Sequence, residues 1–462
     1  MMRPLFLRIE KIIRSRLFAT KHKHDKIPVG CYNNTMSIIS RGKDLIAENQ
    51  KNLKNSADYL LALDIGTEYV KALIAKKGKN SLKIVGVSKA HEAPTNMYSG
   101  AIADIEGVAQ TCEEALAKAE EMAGVRASEV VIGIAGELIK GNTASIKYRR
   151  ADASRPITDA EMENIIKQVQ QRAGERARRE VAIETNNKDV EVRLINSALV
   201  SLRIDGYKVS NPIGFKGKEV VVQIYTAFAP LVHISAIERV CDELQLDLVT
   251  VAVEPFAVCR ACLGDDVESN FSGIVMDIGG GTTDIAVIDD GGVEGTKMFS
   301  IGGRSFTHQI SQKLGLSFED AEKLKLLSDS PKMKPEIRKK FDAAIERNLD
   351  VWQSGVELAI EEFDQMETLP NQIFLCGGGA GLAAIPELLA TGDWYKELPF
   401  SRRPIVNLID PETIEGIENE TDRELDYTFV TAMGLLRVGM DTLSGVPENG
   451  SLKAKLAKLL RN

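Results

Sequence analysis

The sequence predicts an α/β protein of two related lobes, and three observations carry that prediction. An apolar strand, a tight turn opening Asp-Ile-Gly and a second apolar strand occupy residues 59–75, and the same design returns at 273–288. One such unit is an ordinary hairpin; two in one chain mark an internal duplication whose hairpin tips face one cleft. A third glycine turn, Cys376-Gly-Gly-Gly-Ala-Gly381, closes another strand-like run. Around these units helical and strand periods alternate, as α/β organisation requires.

Composition bounds the function. The 462 residues are 44% hydrophobic and 27% charged, which is globular, and the length suggests about two to four domains. The formal net charge of −8 is unevenly spread: residues 1–26 carry +6 and residues 451–462 carry +4, leaving −18 on the chain between. An acidic body repels phosphate and argues against nucleic acid as a partner, whereas basic ends suit an anionic surface. No apolar run reaches the roughly 20 residues of a spanning helix. The N-terminal apolar residues are broken by Arg8, Glu10, Lys11 and Arg14, unlike a secretory signal, so a cytosolic body is expected. Six scattered cysteines suit a reducing compartment; Cys259 and Cys262 lack the further ligands of a zinc set and are expected to be packed thiols.

Taken in order, residues 1–56 read as a basic, flexible extension. Leu5, Ile9, Ile12 and Ile13 share a helical face there, so a membrane-surface or partner helix is the alternative, as is a true start at Met36. The first hairpin follows. Next come a helix at 105–124, a strand at 130–135 and a helix opening at the capping box Thr158-Asp-Ala-Glu161. Then a strand at 219–226, a helix at 232–244, a strand at 248–253 and a helix at 256–263 alternate. After the second hairpin, helices are expected at 306–314, 318–327 and 335–366. A strand at 373–376 runs into the third glycine turn, and helices follow at 383–389 and 427–440. Residues 444–450 form a Gly/Pro/Asn linker. In the last segment Leu452, Leu456, Leu459 and Leu460 share one face with Lys455, Lys458 and Arg461 around it, the pattern of an interfacial helix.

Glycine turns at strand ends suit phosphate, because backbone N–H groups wrap an anion only where side chains leave room. Gly66 and Thr67 in the first turn, and Gly279, Gly280, Gly281, Thr282 and Thr283 in the second, are the candidates. Asp64 and Asp277, with Asp284, offer hard oxygens for Mg²⁺, through water. The chain contains no P-loop sequence and no dinucleotide fingerprint.

These residues carry a resemblance. Asp64-Ile-Gly-Thr67, Asp277-Ile-Gly-Gly-Gly-Thr-Thr-Asp284 and Gly377-Gly-Gly-Ala-Gly381 resemble the two phosphate motifs and the adenosine motif of the actin-like ATPases, a superfamily that includes sugar kinases. Ala321-Glu-Lys-Leu-Lys325 resembles the family segment touching adenosine, with Glu322 and Lys325 on one helical face. Within that superfamily the chain is most similar to the FtsA family of bacterial division proteins, through residues 98–106, Asn211-Pro-Ile-Gly-Phe-Lys-Gly217 and Val253-Glu-Pro-Phe-Ala257. The resemblance implies an actin-like (ribonuclease H-like) fold holding ATP and Mg²⁺ between lobes, with Gly377, Gly378 and Gly379 at the adenosine. It implies lobe 1 at 57–97, 179–264 and 428–443, with an SHS2-type insert at 98–178. Lobe 2 would take 265–305 and 370–427, with a reduced helical subdomain at 306–369. It further implies a membrane-targeting helix at 451–462, self-assembly into protofilaments, slow ATP turnover with no evident catalytic base, and a role tethering the FtsZ ring to the membrane. The small helical subdomain departs from the family, puts the FtsZ docking site in doubt and keeps open a pilus-assembly role like that of the related PilM proteins. A sugar kinase is a further alternative.

Overall fold

The computed structural model describes residues 57–79, 81–263, 270–331 and 333–443; the basic extension, the linker and the amphipathic segment 451–462 lie outside them. The chain opens with β1 (Tyr59–Ile65), β2 (Tyr69–Lys77) and β3 (Leu82–His91), then a small hairpin of β4 (Met97–Tyr98) and β5 (Ala101–Ile102). Helix α1 (Ile105–Ala123) leads to β6 (Glu129–Ile134). Next come β7 (Lys140–Arg149), α2 (Asp159–Glu184), β8 (Val192–Ile204), β9 (Tyr207–Lys208) and β10 (Glu219–Pro230). Helix α3 (Leu231–Leu244), β11 (Asp247–Val253) and α4 (Glu254–Leu263) complete the first half. The second half runs β12 (Gly273–Ile278), β13 (Thr283–Asp289), β14 (Gly292–Phe299), α5 (Gly303–Leu314), α6 (Phe318–Leu326), α7 (Pro335–Glu361) and β15 (Gln372–Cys376). It closes with α8 (Ala384–Thr391), β16 (Ile405–Leu408), β17 (Ile417–Asn419) and α9 (Val430–Leu443).

Side-chain caps start three of these helices, one of them at the predicted Thr158 capping box. Asp104 accepts from the Gly107 amide at 3.2 Å, Thr158 from Glu161 at 3.3 Å and Ser317 from Asp320 at 3.1 Å. Gly124 ends α1 in the left-handed region, with φ of 67°.

The duplication is visible in the pairing. In the first sheet β1 runs antiparallel to β2, β2 to β3, and β6 lies parallel to β1 with β11 beyond it. In the second sheet β12, β13 and β14 form the same antiparallel meander, β15 lies parallel to β12, and β16 follows. Helices α4 and α9 form the layer between the sheets: α9 lies on β1 and β6, α4 on β12 and β13, and the two helices pack on each other. The two-lobed actin-like fold predicted from the repeated hairpins is the fold observed.

The expected insert at 98–178 is corrected. Helix α1 buries Val108, Cys112, Ala115 and Ala119 in the core of the first sheet, and β6 is a central strand of that sheet. The inserted unit instead spans 140–230: β7, β10, β8 and β9 carry α2 on one face, around a separate core that includes Ile146, Ile165, Leu202, Val222 and Ile224. A helical period shows which face is buried but not which sheet covers it. The strand β7 also escaped notice, since Ile146 is the one buried large apolar residue along it. The inserted sheet joins the second lobe through a short seam, Gly295 opposite Asn142 and Thr296 opposite Gly141. The segment 306–369 is helical as expected. It has no core of its own, because Phe306, Phe341, Ile345 and Trp352 pack with Ile274 and Ile285 of the second sheet.

The closest helix approach lies at Gly434 of α9, where an added Cβ would sit 2.2 Å from the Ala257 carbonyl oxygen of α4. Backbone cannot retreat as a side-chain end can. Gly434→Ala is therefore expected to cost about 1–3 kcal/mol from overpacking, outweighing any gain in helix propensity. Urea unfolding of the two proteins measures the difference.

Candidate functional site

The three glycine turns meet at one cavity of about 460 Å³ between the lobes. Asp64, Gly66 and Thr67 line it from the first turn, and Asp277, Gly279, Gly280 and Thr282 from the second. Gly377, Gly378 and Gly379 enter from the third, and Glu322 and Lys325 from α6. The second turn is tied to α5: the Gly303 amide donates to the Gly279 carbonyl at 2.9 Å, and Arg304 to Gly280 at 2.8 Å. Gly377 has φ of 81°, and a Cβ there would lie 2.1 Å from Asp277 Oδ1, so both backbone and space demand glycine.

Two predicted residues are placed otherwise. Thr283 is fully buried behind the turn; its hydroxyl donates to the Ile301 carbonyl at 2.7 Å and accepts from the Trp352 indole at 2.9 Å. It braces α7 against β13 and does not line the cavity. Gly281 faces the opposite turn, with an added Cβ 2.9 Å from Thr67 Oγ1. Spacing alone could not separate glycines that face a ligand from one that faces a neighbouring turn.

The floor of the cavity is rich in carboxyl groups. Lys71 Nζ lies 2.7 Å from Asp64 Oδ2. Asp277 accepts from the Thr431 hydroxyl of α9. Asp284 Oδ2 accepts from Thr282 at 3.1 Å, while its Oδ1 is buried without a partner among the described residues. Glu254, at the head of α4, is the fourth buried carboxyl. Burial pushes the Glu254 carboxyl well above the usual range, and Asp64, Asp284 and Asp277 add to the rise against Lys71. Asp284 is raised likewise, by burial and then Asp277. Asp277 is raised by burial, with Lys71 and Thr431 opposing. Burial works against the Lys71 ammonium, yet Asp64 and Asp277 hold its pKa above the ordinary lysine value.

This excess of negative charge fits a divalent cation. Among the described residues no three acidic, His or Cys side chains are arranged to enclose an ion directly. A cation here would thus be held through water from Asp64, Asp277 and Asp284, and an anionic phosphate would complete its shell. The orphaned Asp284 Oδ1 is the observation that fits such a hydrated ion.

Lys71 and Glu254 were missed as site residues. Lys71 had a signal: it pairs with Asp64 across the first hairpin as Asp284 pairs with Asp277 across the second, at the same offset. Glu254 had none beyond its place in Glu-Pro-Phe. Toward the far end of the cavity, Lys325 Nζ contacts the Glu322 carboxylate at 2.8 Å, Thr307 Oγ1 at 2.9 Å and the Gly303 carbonyl at 3.0 Å. Tyr427 packs over the third turn, where a Cβ on Gly381 would lie 2.4 Å from its hydroxyl.

Glu254, Asp277 and Asp284 keep their protons to higher pH when folded than when unfolded. The stability they bring is complete below the unfolded carboxylate range, about pH 4, and is lost as pH rises through the folded values. The ligand-free melting temperature is expected to fall as pH rises above the ordinary carboxylate range, and Glu254→Gln, which cannot titrate, to flatten that fall. Calorimetry at constant ionic strength reads both slopes, and equal slopes would contradict the assignment.

Comparison with known proteins agrees with this geometry. The family model described as Cell division protein FtsA matches residues 274–434, and that described as MreB/Mbl protein matches 202–321. The Cell division protein FtsA of Enterococcus faecalis is 27% identical over 350 residues, covering 71% of this chain and 75% of that protein. The FtsA of Pseudomonas aeruginosa is 24% identical over 412 residues, covering 84% and 91%. Among solved structures, a PilM-PilN type IV pilus biogenesis complex superposes with a TM-score of 0.58 at 19% identity, covering 82% of this chain and 98% of that one. The duplicated sheets and the convergent turns give the chain an actin-like fold, and these matches make it similar to the Cell division protein FtsA over most of its length.

Proposed function

We propose that the chain is an FtsA-like cell division protein. It binds ATP with Mg²⁺ between its lobes, assembles on the cytoplasmic face of the membrane at the division site, and tethers the FtsZ ring there. The observation that carries the nucleotide reading is the convergence of the three glycine turns on a cavity floored by four carboxyl groups and one lysine. The turn amides and Thr67 and Thr282 would receive the β- and γ-phosphates, and Lys71 would neutralise them. Gly377, Gly378 and Gly379, with Glu322 and Lys325, would hold the adenosine end. Asp64 and Asp277 would hold Mg²⁺ through water, and the ion would supply positive charge beside the phosphates.

Hydrolysis needs a group that orients water, and Glu254 is placed for it. Burial raises the pKa of its carboxyl in the free site, and a bound cation would favour the ionised form. Burial that opposes ionisation of Glu254 supports slow turnover, with assembly as the main use of the nucleotide.

The division role rests on the relatives' names and on the chain's own basic, leucine-faced segment at 451–462 as a peripheral anchor. No helix among the described residues is long and apolar enough to cross a membrane. The second reading, a pilus-assembly role, is favoured by the stretch from α5 to α7, in which the described residues form no strand. Immobilised full-length chain should retain FtsZ rather than pilus components from the native extract; the opposite result would establish the second reading.

Asp277→Asn should weaken Mg²⁺-dependent ATP binding about 10–100-fold, and chelating Mg²⁺ should reduce wild type to a similar level; calorimetric titration measures both. Deleting 451–462 should abolish co-sedimentation with anionic vesicles while ATP binding is retained. Equal pelleting of the truncated chain would remove the anchor from this reading.

A further inference from the structure

The tips of the two lobes are joined by an ion pair that phosphate binding does not require. Glu68 ends the first glycine turn, and Arg304 sits in the first turn of α5. Arg304 Nε donates to Glu68 Oε2 at 2.5 Å, and both side chains are shielded, at 14% and 15% exposure. Each partner is anchored within its own lobe. Glu68 Oε1 lies 3.0 Å from His91 Nε2 on β3, and the Glu68 carbonyl accepts from the Glu92 amide at 2.9 Å. On the other side the Arg304 amide is bonded to Gly280 of the second turn. Beneath the pair the turns touch: an added Cβ on Gly280 would lie 2.8 Å from Glu68 Cβ, and one on Gly281 2.9 Å from Thr67 Oγ1.

We propose that Glu68 and Arg304 form a clasp between the lobes that must break before a nucleotide enters or leaves the cavity, so that the pair sets the exchange rate. This rests on the nucleotide reading of the same site. The turns meet across the cavity, so a ligand held by both can exchange only when they part. Because each clasp residue is fixed to its own turn, the turns cannot separate while the pair holds. A shielded, charge-assisted bond resists separation more than a solvated surface pair does. The glycines at 280 and 281 then have a second reason for being glycine: a side chain at either would hold the clasp open.

The test uses the full chain carrying Glu68→Ala, Arg304→Ala or both, with a fluorescent ATP analogue and Mg²⁺, chased by excess ATP. The clasp predicts release on the order of tenfold faster in each single variant. It predicts no further acceleration in the double variant, because the same bond is lost three times over. Unchanged release in the single variants, or effects that simply multiply in the double, would overturn it. Hydrogen exchange of the ligand-free proteins supplies a second arm: amides at 66–69 and 279–282 should exchange faster in all three variants, and unchanged protection there would also overturn the clasp. A wild type that binds no nucleotide would remove the nucleotide reading alone, and the exchange arm would still decide whether the pair holds the turns together.

Discussion

One ammonium set among four buried carboxyl groups is the constraint around which the site is organised. Lys71 neutralises Asp64 directly, and its charge restrains Asp277 and Glu254. An apolar strand tolerates a buried lysine only where such a partner waits across the ladder, and the hairpin register provides it. The remaining negative charge is not neutralised by protein. Burial raises the pKa of Glu254, Asp277 and Asp284, so that a cation and phosphate together would relieve the cost of burying their charge. The same carboxyls tie the lobes: Asp277 of the second sheet is bonded to Thr431 on α9, which lies on the first.

Much of this was legible in the residues because duplication leaves a redundant signal. Two Asp-Ile-Gly hairpins predicted two lobes, and the lobes repeat each other's pairing strand by strand. A capping box located α2, while the paired charges of Glu322 and Lys325 were placed on one face of α6 and are found bonded there. What could not be read was partnership. The burial of α1 under the first sheet, the inward turn of Thr283 and the meeting of Gly281 with Thr67 depend on elements distant in sequence. Glu254 was invisible for the same reason: an acid at a helix start looks like dipole chemistry until the fold brings Asp64 of the first sheet and Asp277 and Asp284 of the second beside it.

The glycines divide into classes that sequence cannot distinguish. Gly377 is required by backbone conformation and by Asp277; Gly381 by the Tyr427 hydroxyl; Gly434 by the approach of two helices. Gly378 meets nothing and faces open space. A run of three glycines therefore contains one position set by geometry and another left free for a ligand.

The seam between β14 and β7 has a mechanical meaning. The inserted unit leaves the first lobe after β6 and returns to it at α3, yet its sheet is hydrogen-bonded to the second lobe. It is thus a crossbar, joined to the first lobe by covalent chain and by the bond from the Val253 amide to Asn196 Oδ1, and to the second by a few ladder bonds. Rotation of the lobes would strain one of these attachments. A binding partner that gripped the crossbar would feel the angle between the lobes without touching the cavity.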